Sequence, residues 1–237
     1  MKFIGITITD LSPQYKEMTE KSIKSFLKFH DTKLLVYVIG DKELELTDSR
    51  IEVIHLPVQE YTVFKSHILV DTYANITDIL IAKLLCLTNK DNCVFFENDV
   101  FFLRSLNEIW HSLLSGITGT ATCINKQKNQ YGINSGLLCV KNYELNYTLG
   151  DIYEFFSNKQ LCHPCDQFLT WYLGKHLQHH LNALSLIVPL YAYKKDVGIL
   201  NDVYSVHYAG ANKIYTANYK PNSFMQYLER KLDTIVQ

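Results

Sequence analysis

The sequence predicts an α/β fold in which a central, mostly parallel β-sheet is flanked by helices. Short apolar runs rich in β-branched residues alternate with stretches whose apolar residues recur at helical spacing, as in parallel sheets with helical crossovers. The 237 residues, 47% of them hydrophobic, suffice for one sizeable core. Neither an internal repeat nor a linker rich in Pro, Gly or Ser divides the chain, so we expect one domain over residues 1–237.

The individual elements follow from where these patterns start and stop. The apolar run 33–39 ends at Gly40-Asp41 and the run 51–56 ends at Pro57, which indicates short strands buried on both faces. We predict strands at 3–9, 33–39, 51–56, 93–96, 119–124 and 136–141. We predict helices after Ser12-Pro13 and at 78–87, 105–114, 143–156, 166–173 and 223–235. The last helix is amphipathic and is expected to dock on the domain's own core.

Charge and composition argue against several classes of function. With 23 Lys and Arg against 24 Asp and Glu, the formal charge is -1, so there is no electrostatic reason to bind a nucleic-acid backbone. We find neither a signal-peptide pattern nor a run of about 18 apolar residues. The six cysteines lie mostly inside apolar runs, which fits a reducing compartment. We therefore expect a cytoplasmic protein without a transmembrane segment.

An acidic triplet, Glu97-Asn98-Asp99, follows the predicted strand 93–96. The two acids are two residues apart, so on a continuing strand their carboxylates lie on the same side and can share one cation. Mg²⁺ and Mn²⁺ prefer such oxygen ligands and leave coordination positions for substrate phosphates. Apolar residues flank the triplet, and burying unpaired carboxylates there would be costly, so a bound ion or a basic partner is expected. The alternative is a solvated acidic loop at the strand end.

Four segments in sequence order resemble the GT-A glycosyltransferases of the glycogenin and bacterial galactosyltransferase type. The segment 94–106, which contains Glu97-Asn98-Asp99, is similar to their DxD segment. The other three are Ile133-Asn134-Ser135-Gly136-Leu137-Leu138, Cys165-Asp166-Gln167-Phe168-Leu169, and Val206-His207-Tyr208-Ala209-Gly210 with Lys213. The resemblance implies a single GT-A (Rossmann-like) domain. It also implies metal-dependent transfer of a hexose from a nucleotide sugar to a hydroxyl of a glycan or glycoconjugate acceptor, with retention of configuration.

The resemblance also implies roles for particular residues. The implied metal ligands are Glu97, Asp99 and His207. Imidazole suits Mn²⁺ better than Mg²⁺, so Mn²⁺ is the expected ion and Mg²⁺ the alternative. The implied donor is a UDP-hexose, with Asp166 and Gln167 as catalytic residues beside its sugar. The residues implied to bind the donor are Thr7, Thr9, Asp10, Tyr15, Lys83, Asn98, Asn134, Ser135, Gly136, Gly210 and Lys213.

Two departures from the family pattern keep other functions open. Glu97 is one methylene longer than the usual aspartate, and Phe168 stands where a second carboxylate would follow Gln167. A non-catalytic module that binds sugar or nucleotide on the same fold is therefore one alternative. A sugar-1-phosphate nucleotidyltransferase is another, although the stretch 9–13 lacks the glycine-rich basic loop that such an enzyme needs.

Several candidate residues also have purely structural interpretations. His207 could be a buried core histidine, Lys83 could lie on a solvated helix face, and Asp166 could cap its helix. The Asn134-Ser135-Gly136 segment could be an ordinary turn. The spacing of Cys162 and Cys165 is compatible with a redox pair or half a zinc site, although the second half of such a site is missing at suitable spacing.

Overall fold

The amino-terminal half alternates strands with helices. The computed structural model describes residues 3–59, 66–69, 76–125, 130–176, 179–188, 198–210 and 213–237. Its first elements are β1 (Ile4–Thr9), α1 (Lys16–Phe29), β2 (Leu34–Ile39), β3 (Ile51–Leu56), α2 (Thr77–Leu87) and β4 (Cys93–Phe96). The four predicted strands and the predicted helix 78–87 agree with these bounds to within one residue.

The carboxy-terminal half contains shorter strands and three longer helices. Its elements are β5 (Val100–Phe102), α3 (Asn107–Trp110), β6 (Gly116–Asn125), β7 (Gln130–Lys141), α4 (Leu149–Ser157), α5 (Pro164–His176), β8 (His179–Leu181), β9 (Ser185–Ile187), β10 (Ser205–His207) and α6 (Ser223–Val236). A 3₁₀ turn, Gly198–Asn201, lies between β9 and β10. The strands predicted at 119–124 and 136–141 are thus central parts of longer strands.

Two predicted helices are shorter than expected, for identifiable reasons. The helix predicted over 105–114 is the single turn α3, and the carbonyls of Trp110, His111 and Leu113 at its end accept hydrogen bonds from the Lys141 ammonium. The helix predicted from 143 begins only at the start of α4. The Thr148 hydroxyl accepts from the Asp151 amide, and the Asp151 carboxylate accepts from the Thr148 amide, which is a capping box.

The main sheet has seven strands in the order β3-β2-β1-β4-β7-β6-β8. Its first four strands are parallel, β7 is antiparallel to both of its neighbours, and β8 is parallel to β6. This confirms a mostly parallel sheet flanked by helices. The prediction that strand 51–56 is buried on both faces is wrong, because β3 lies at the sheet edge and Val53 is 36% exposed. A second sheet has the order β5-β10-β9.

Strand β7 contains a bulge that positions the predicted Asn134-Ser135-Gly136 segment. Its pairing with β6 passes from Asn134 opposite Thr120 directly to Leu138 opposite Gly119, so residues 135–137 leave that ladder. The bulged residues instead lie beside the end of β4, where Leu137 pairs with Phe96. The segment is therefore part of a distorted strand, which replaces the interpretation as an ordinary turn.

Three apolar clusters form the core. One packs α2, α4 and α5 against one face of the main sheet, and a second packs α1 and α3 against the other face. The third joins β9, β10 and α6, whose Leu228 and Leu232 are fully buried. This confirms that the last helix docks on the protein's own core. Of the helices in the described ranges, none combines the length and the hydropathy that a membrane span requires.

Candidate functional site

The acidic triplet forms the connection between the two sheets. Strand β4 of the main sheet ends just before Glu97, and β5 of the small sheet begins just after Asp99. The three residues of the triplet therefore link the two sheets. The Glu97 amide donates to the Gly136 carbonyl at 2.8 Å, and the Asp99 carbonyl accepts from the Tyr208 amide at 3.0 Å. Because β10 pairs antiparallel with β5, His207 lies opposite Val100. The topology therefore brings a histidine more than 100 residues away beside the triplet.

The side chains of Glu97, Asp99 and His207 converge on one point. One ligand atom from each lies within 4.8 Å of the others, and His207 Nε2 is 3.2 Å from both Glu97 Oε2 and Asp99 Oδ1. Neither contact has the geometry of a hydrogen bond, and both His207 ring nitrogens and Asp99 Oδ1 are buried without a hydrogen-bond partner. Buried polar groups are normally paired, so this arrangement suits a shared divalent cation. The two carboxylates and one imidazole fit Mn²⁺.

Gly136 is what allows His207 to reach this position. A methyl group at Gly136 would overlap His207 Cε1 and lie 2.6 Å from its Nδ1. The imidazole therefore packs directly on the backbone of β7, in space that any other residue would fill. A close backbone approach of this kind explains a glycine inside a strand.

Each carboxylate also carries a lysine on its other oxygen. Lys83 forms an ion pair with Glu97 Oε1, and Lys213 forms one with Asp99 Oδ2. The Lys83 side chain is only 3% exposed, which excludes the solvated helix face as its environment. The Lys213 side chain is 22% exposed, and Gly210, three residues before it, has a φ of +89°, which favours glycine.

Ion pairing determines the charge state of this cluster. Burial opposes ionisation of Glu97 and Asp99, but Lys83 beside Glu97 and Lys213 beside Asp99, together with His207, outweigh it and hold the pKa of both carboxyls below the usual range. The carboxylates in turn raise the pKa of both lysines against the effect of burial. For His207, burial lowers the pKa, and the neighbouring Asp99 and Glu97 more than compensate, raising it to about 9. Both acids are therefore ionised at neutral pH, as cation ligands must be, whereas His207 is protonated there and has to release its proton before it can bind an ion.

Asp166 lies in α5, but its side chain forms hydrogen bonds with residues of β7. Its Oδ1 accepts from the Ser135 amide at 2.8 Å and from the Ser135 hydroxyl at 2.5 Å, and its Oδ2 lies 3.5 Å from Asn134 Nδ2. The Ser135 hydroxyl also accepts from the Lys83 ammonium at 2.7 Å. The predicted sugar residues Asn134, Ser135 and Asp166 are thus linked to the metal-ligand cluster through Lys83.

Gln167, the second predicted catalytic residue, has a local structural role. Its Oε1 accepts from the amides of Cys162 and His163, both at 2.9 Å, at the amino end of α5. The Cys165 thiol donates to the Leu80 carbonyl at 3.5 Å, and burial raises its pKa to about 12, so this thiol is unreactive. Among the described side chains, the group able to hold a metal is Glu97, Asp99 and His207.

The residues predicted to bind the nucleotide lie at the carboxyl end of β1, where open α/β sheets bind ligands. Thr7 and Thr9 are buried there, and Thr7 Oγ1 has no hydrogen-bond partner. A cavity of about 300 Å³ adjoins Asp10 and also borders Gly40 at the end of β2. Tyr15 immediately precedes α1 and packs against the third cluster.

Thr19 is a further residue of this region that sequence reasoning missed. Its hydroxyl on α1 lies 3.4 Å from the Thr9 hydroxyl and accepts from Asn98 Nδ2 at 3.4 Å. A buried threonine within a helical pattern of larger apolar residues gives no signal in the sequence. Only the packing of α1 beside the triplet brings Thr19 to the middle residue of that triplet.

Comparisons with known proteins define the class of fold. Neither a family model nor a curated protein matches the sequence. The solved structures that match include several glycosyltransferases, and the likeness confirms the GT-A fold predicted from the sequence.

Three of these structures show how far the similarity extends. The galactosyltransferase LgtC in complex with donor and acceptor sugar analogues is 15% identical at a TM-score of 0.66, over 99% of this chain and 95% of LgtC. The glycosyltransferase GlyE of Streptococcus pneumoniae TIGR4 is 13% identical at a TM-score of 0.62, over 99% of this chain and 63% of GlyE. Mouse xyloside xylosyltransferase 1 is 10% identical at a TM-score of 0.51, over 86% of this chain and 96% of that enzyme.

Proposed function

We propose that this chain is a metal-dependent glycosyltransferase, acting as a single catalytic domain, that moves a hexose from a UDP-sugar to a hydroxyl of a glycan or glycoconjugate acceptor. The observation that carries the proposal is the convergence of Glu97, Asp99 and His207, whose ligand atoms lie within 4.8 Å of one another on a GT-A fold. Mn²⁺ is the ion that this mixture of oxygen and nitrogen donors favours. LgtC, which shares the fold, has been crystallised with donor and acceptor sugar analogues.

The charges around the triplet suit the chemistry of the leaving group. Cleavage of the bond between the sugar and the diphosphate leaves negative charge on the diphosphate, which a bound divalent ion stabilises as a Lewis acid. Lys213, a charged and partly exposed side chain beside Asp99, is the residue we assign to the diphosphate. We assign Thr7, Thr9, Asp10, Tyr15 and Asn98 to the nucleoside, since they lie at or beside the end of β1.

The residues assigned to the donor sugar surround the β7 bulge. The Asp166 carboxylate accepts from the Ser135 amide and lies beside Asn134 at the bulge. The residue after Ser135, Gly136, is the one against which His207 packs. We propose that the Asp166 carboxylate contacts the hexose. Gln167, the next residue of α5, is assigned to the same sugar on the sequence resemblance alone, since its Oε1 accepts from the Cys162 and His163 amides. Retention of configuration is part of the proposal and rests on the resemblance of the four sequence segments.

Replacement of the better buried acid tests the proposal. Asp99→Asn should abolish Mn²⁺-dependent UDP binding, measured by titration calorimetry, and should lower the transfer of hexose from a UDP-sugar by at least about 100-fold, because a neutral amide is a poor cation ligand. Asp233→Asn, at a carboxylate of α6 that is 41% exposed, serves as the matched control and should behave as the wild type. Unchanged metal-dependent binding in Asp99→Asn would contradict the proposal.

A non-catalytic binding module is the second candidate function. It is favoured by the replacement of the family's second carboxylate with Phe168, which is fully buried in the core. A thermal-shift screen of UDP-, GDP- and CMP-sugars with and without Mn²⁺ identifies the ligand, because a ligand that binds only the folded state raises the melting temperature. Release of UDP, measured in the same samples, separates an enzyme from a module.

A further inference from the structure

The buried ammonium of Lys83 connects two parts of the site that have different tasks. It pairs with Glu97 Oε1 and leaves Glu97 Oε2 directed at His207. It also donates to the Ser135 hydroxyl at 2.7 Å. Since the side chain is only 3% exposed, Lys83 is enclosed by protein groups and does not present its charge to solvent.

The polarity of the hydrogen bonds beyond Lys83 is determined by chemistry. An ammonium can only donate, so the Ser135 oxygen accepts from Lys83 and its own hydrogen is free to point elsewhere. That hydrogen donates to Asp166 Oδ1, which also accepts from the Ser135 amide. Lys83, Ser135 and Asp166 therefore form a hydrogen-bond chain, here called the relay. In it the lysine donates to the serine hydroxyl and the serine hydroxyl donates to the Asp166 carboxylate.

We propose that Lys83 and Ser135 are positioning residues for recognition of the donor sugar: Lys83 orients the Ser135 hydroxyl, and Ser135 holds the Asp166 carboxylate in the direction that contacts the hexose. The inference rests on the proposed function, because it assigns the hexose of a nucleotide sugar to Asp166. It goes beyond that function in assigning sugar discrimination to a buried lysine and serine that act through Asp166. The same lysine keeps one oxygen of the longer Glu97 side chain away from the ion site.

The relay predicts a specific pattern of affinities. UDP lacks the hexose, so its binding does not depend on the direction of Asp166. Contacts with the sugar contribute to the affinity of a UDP-hexose, and that contribution should depend on Ser135. A residue that only stabilised the fold would affect both ligands equally.

The test compares UDP with UDP-glucose and UDP-galactose, each titrated calorimetrically in the presence of Mn²⁺. In Ser135→Ala, UDP should bind within about twofold of the wild type, whereas the preferred UDP-hexose should lose on the order of tenfold, the size of one hydrogen bond to a charged group. Asp166→Asn should lose the same increment. In Ser135→Ala combined with Asp166→Asn, the two losses should not add, since both variants break one relay.

The outcomes separate this inference from the proposed function. If the wild type binds neither UDP nor either UDP-hexose with Mn²⁺, the proposed function fails and the inference fails with it. If the wild type binds these ligands and Ser135→Ala leaves the ratio of the UDP-hexose affinity to the UDP affinity unchanged, the inference alone is overturned. An equal loss for both ligands in Ser135→Ala also overturns it, because it reveals a structural role. Ser135→Ala decides the matter, because Lys83→Met would also remove the ion pair of Glu97 and so alter the binding of both ligands.

Discussion

The absence of a side chain at Gly136 is what leaves room for the His207 imidazole in the candidate site. The His207 ring lies where a Cβ on Gly136 would be, and this contact directs Nε2 between Glu97 and Asp99. The neighbouring bulge has already removed Gly136 from the β6 ladder, so its carbonyl is available to the Glu97 amide. Gly136 thus contacts the His207 imidazole through its α-carbon side and the Glu97 amide through its carbonyl.

Gly136→Ala should therefore disable the site. The new methyl group displaces the His207 ring, so we expect Mn²⁺-dependent UDP affinity to fall by more than about tenfold and the free energy of unfolding to fall by about 1–3 kcal/mol. Calorimetric titration and urea denaturation measure the two effects.

Gly174→Ala is the matched control for that substitution. Gly174 lies in α5 with no neighbouring atom within 4 Å of an added Cβ, so alanine should raise the free energy of unfolding by up to about 1 kcal/mol and leave binding unchanged. Normal metal-dependent binding in Gly136→Ala would show that His207 does not need this space.

At the scale of elements, His30 joins the end of α1 to the start of α3. Its Nδ1 donates to the Phe26 carbonyl at 2.8 Å, and its Nε2 accepts from the Leu106 amide at 3.0 Å. The ring also stacks on Phe26, with centroids 4.5 Å apart. The accepting nitrogen cannot carry a proton, and burial, partly opposed by the Phe26 carbonyl, lowers the pKa of His30 to about 4.

This depressed pKa predicts a pH dependence of stability. The unfolded chain protonates His30 below about pH 6.5, whereas the folded protein does so only near pH 4, so the stabilisation is complete above pH 6.5 and is lost as the pH falls toward 4. This difference in pKa between the unfolded and folded states corresponds to roughly 3 kcal/mol of the free energy of unfolding. Urea denaturation of the wild type and of His30→Gln between pH 7 and pH 4.5 should show the stability gap between them shrinking as the pH falls. Parallel curves would show that His30 titrates alike in both states.

At the scale of the whole molecule, the site lies at the junction of two sheets with separate cores. Glu97 continues the main sheet, whereas His207 and Lys213 belong to the small sheet and the segment after it, which pack on α6 through the third cluster. The relative positions of Glu97, Asp99 and His207 therefore depend on how α6 packs against the small sheet.

Leu228→Ala tests the contribution of that helix. The side chain is fully buried in the third cluster, so its removal leaves a cavity and should lower the free energy of unfolding by about 2–5 kcal/mol in urea denaturation. Tyr227→Ala, at the adjacent position with 38% exposure, should cost less than about 1 kcal/mol. Similar losses in both variants would mean that α6 does not anchor this cluster.

Local patterns in the chain were sufficient for the order of the longer elements, but not for the three-residue strands β5, β8, β9 and β10. Runs such as 34–39 and 93–96 are continuously apolar because central strands are buried on both faces, and this property is visible residue by residue. The same reasoning failed for β3, since a position at the sheet edge depends on which strands lie beside it. It also misplaced the start of α4, where a single capping box overrode the helical spacing of the preceding residues.

The sequence alone thus established the α/β class, the acidic triplet at a strand end and the four segments that resemble the GT-A glycosyltransferases, because each of these is a matter of residue type and spacing along the chain. Tertiary structure alone decided that Lys83 is buried, that Ser135 lies on a bulge against Asp166, that Thr19 reaches Asn98, and that His207 faces the triplet. The physical reason is that these relations are distances between residues far apart in the chain, and such distances arise only when the sheets and helices pack.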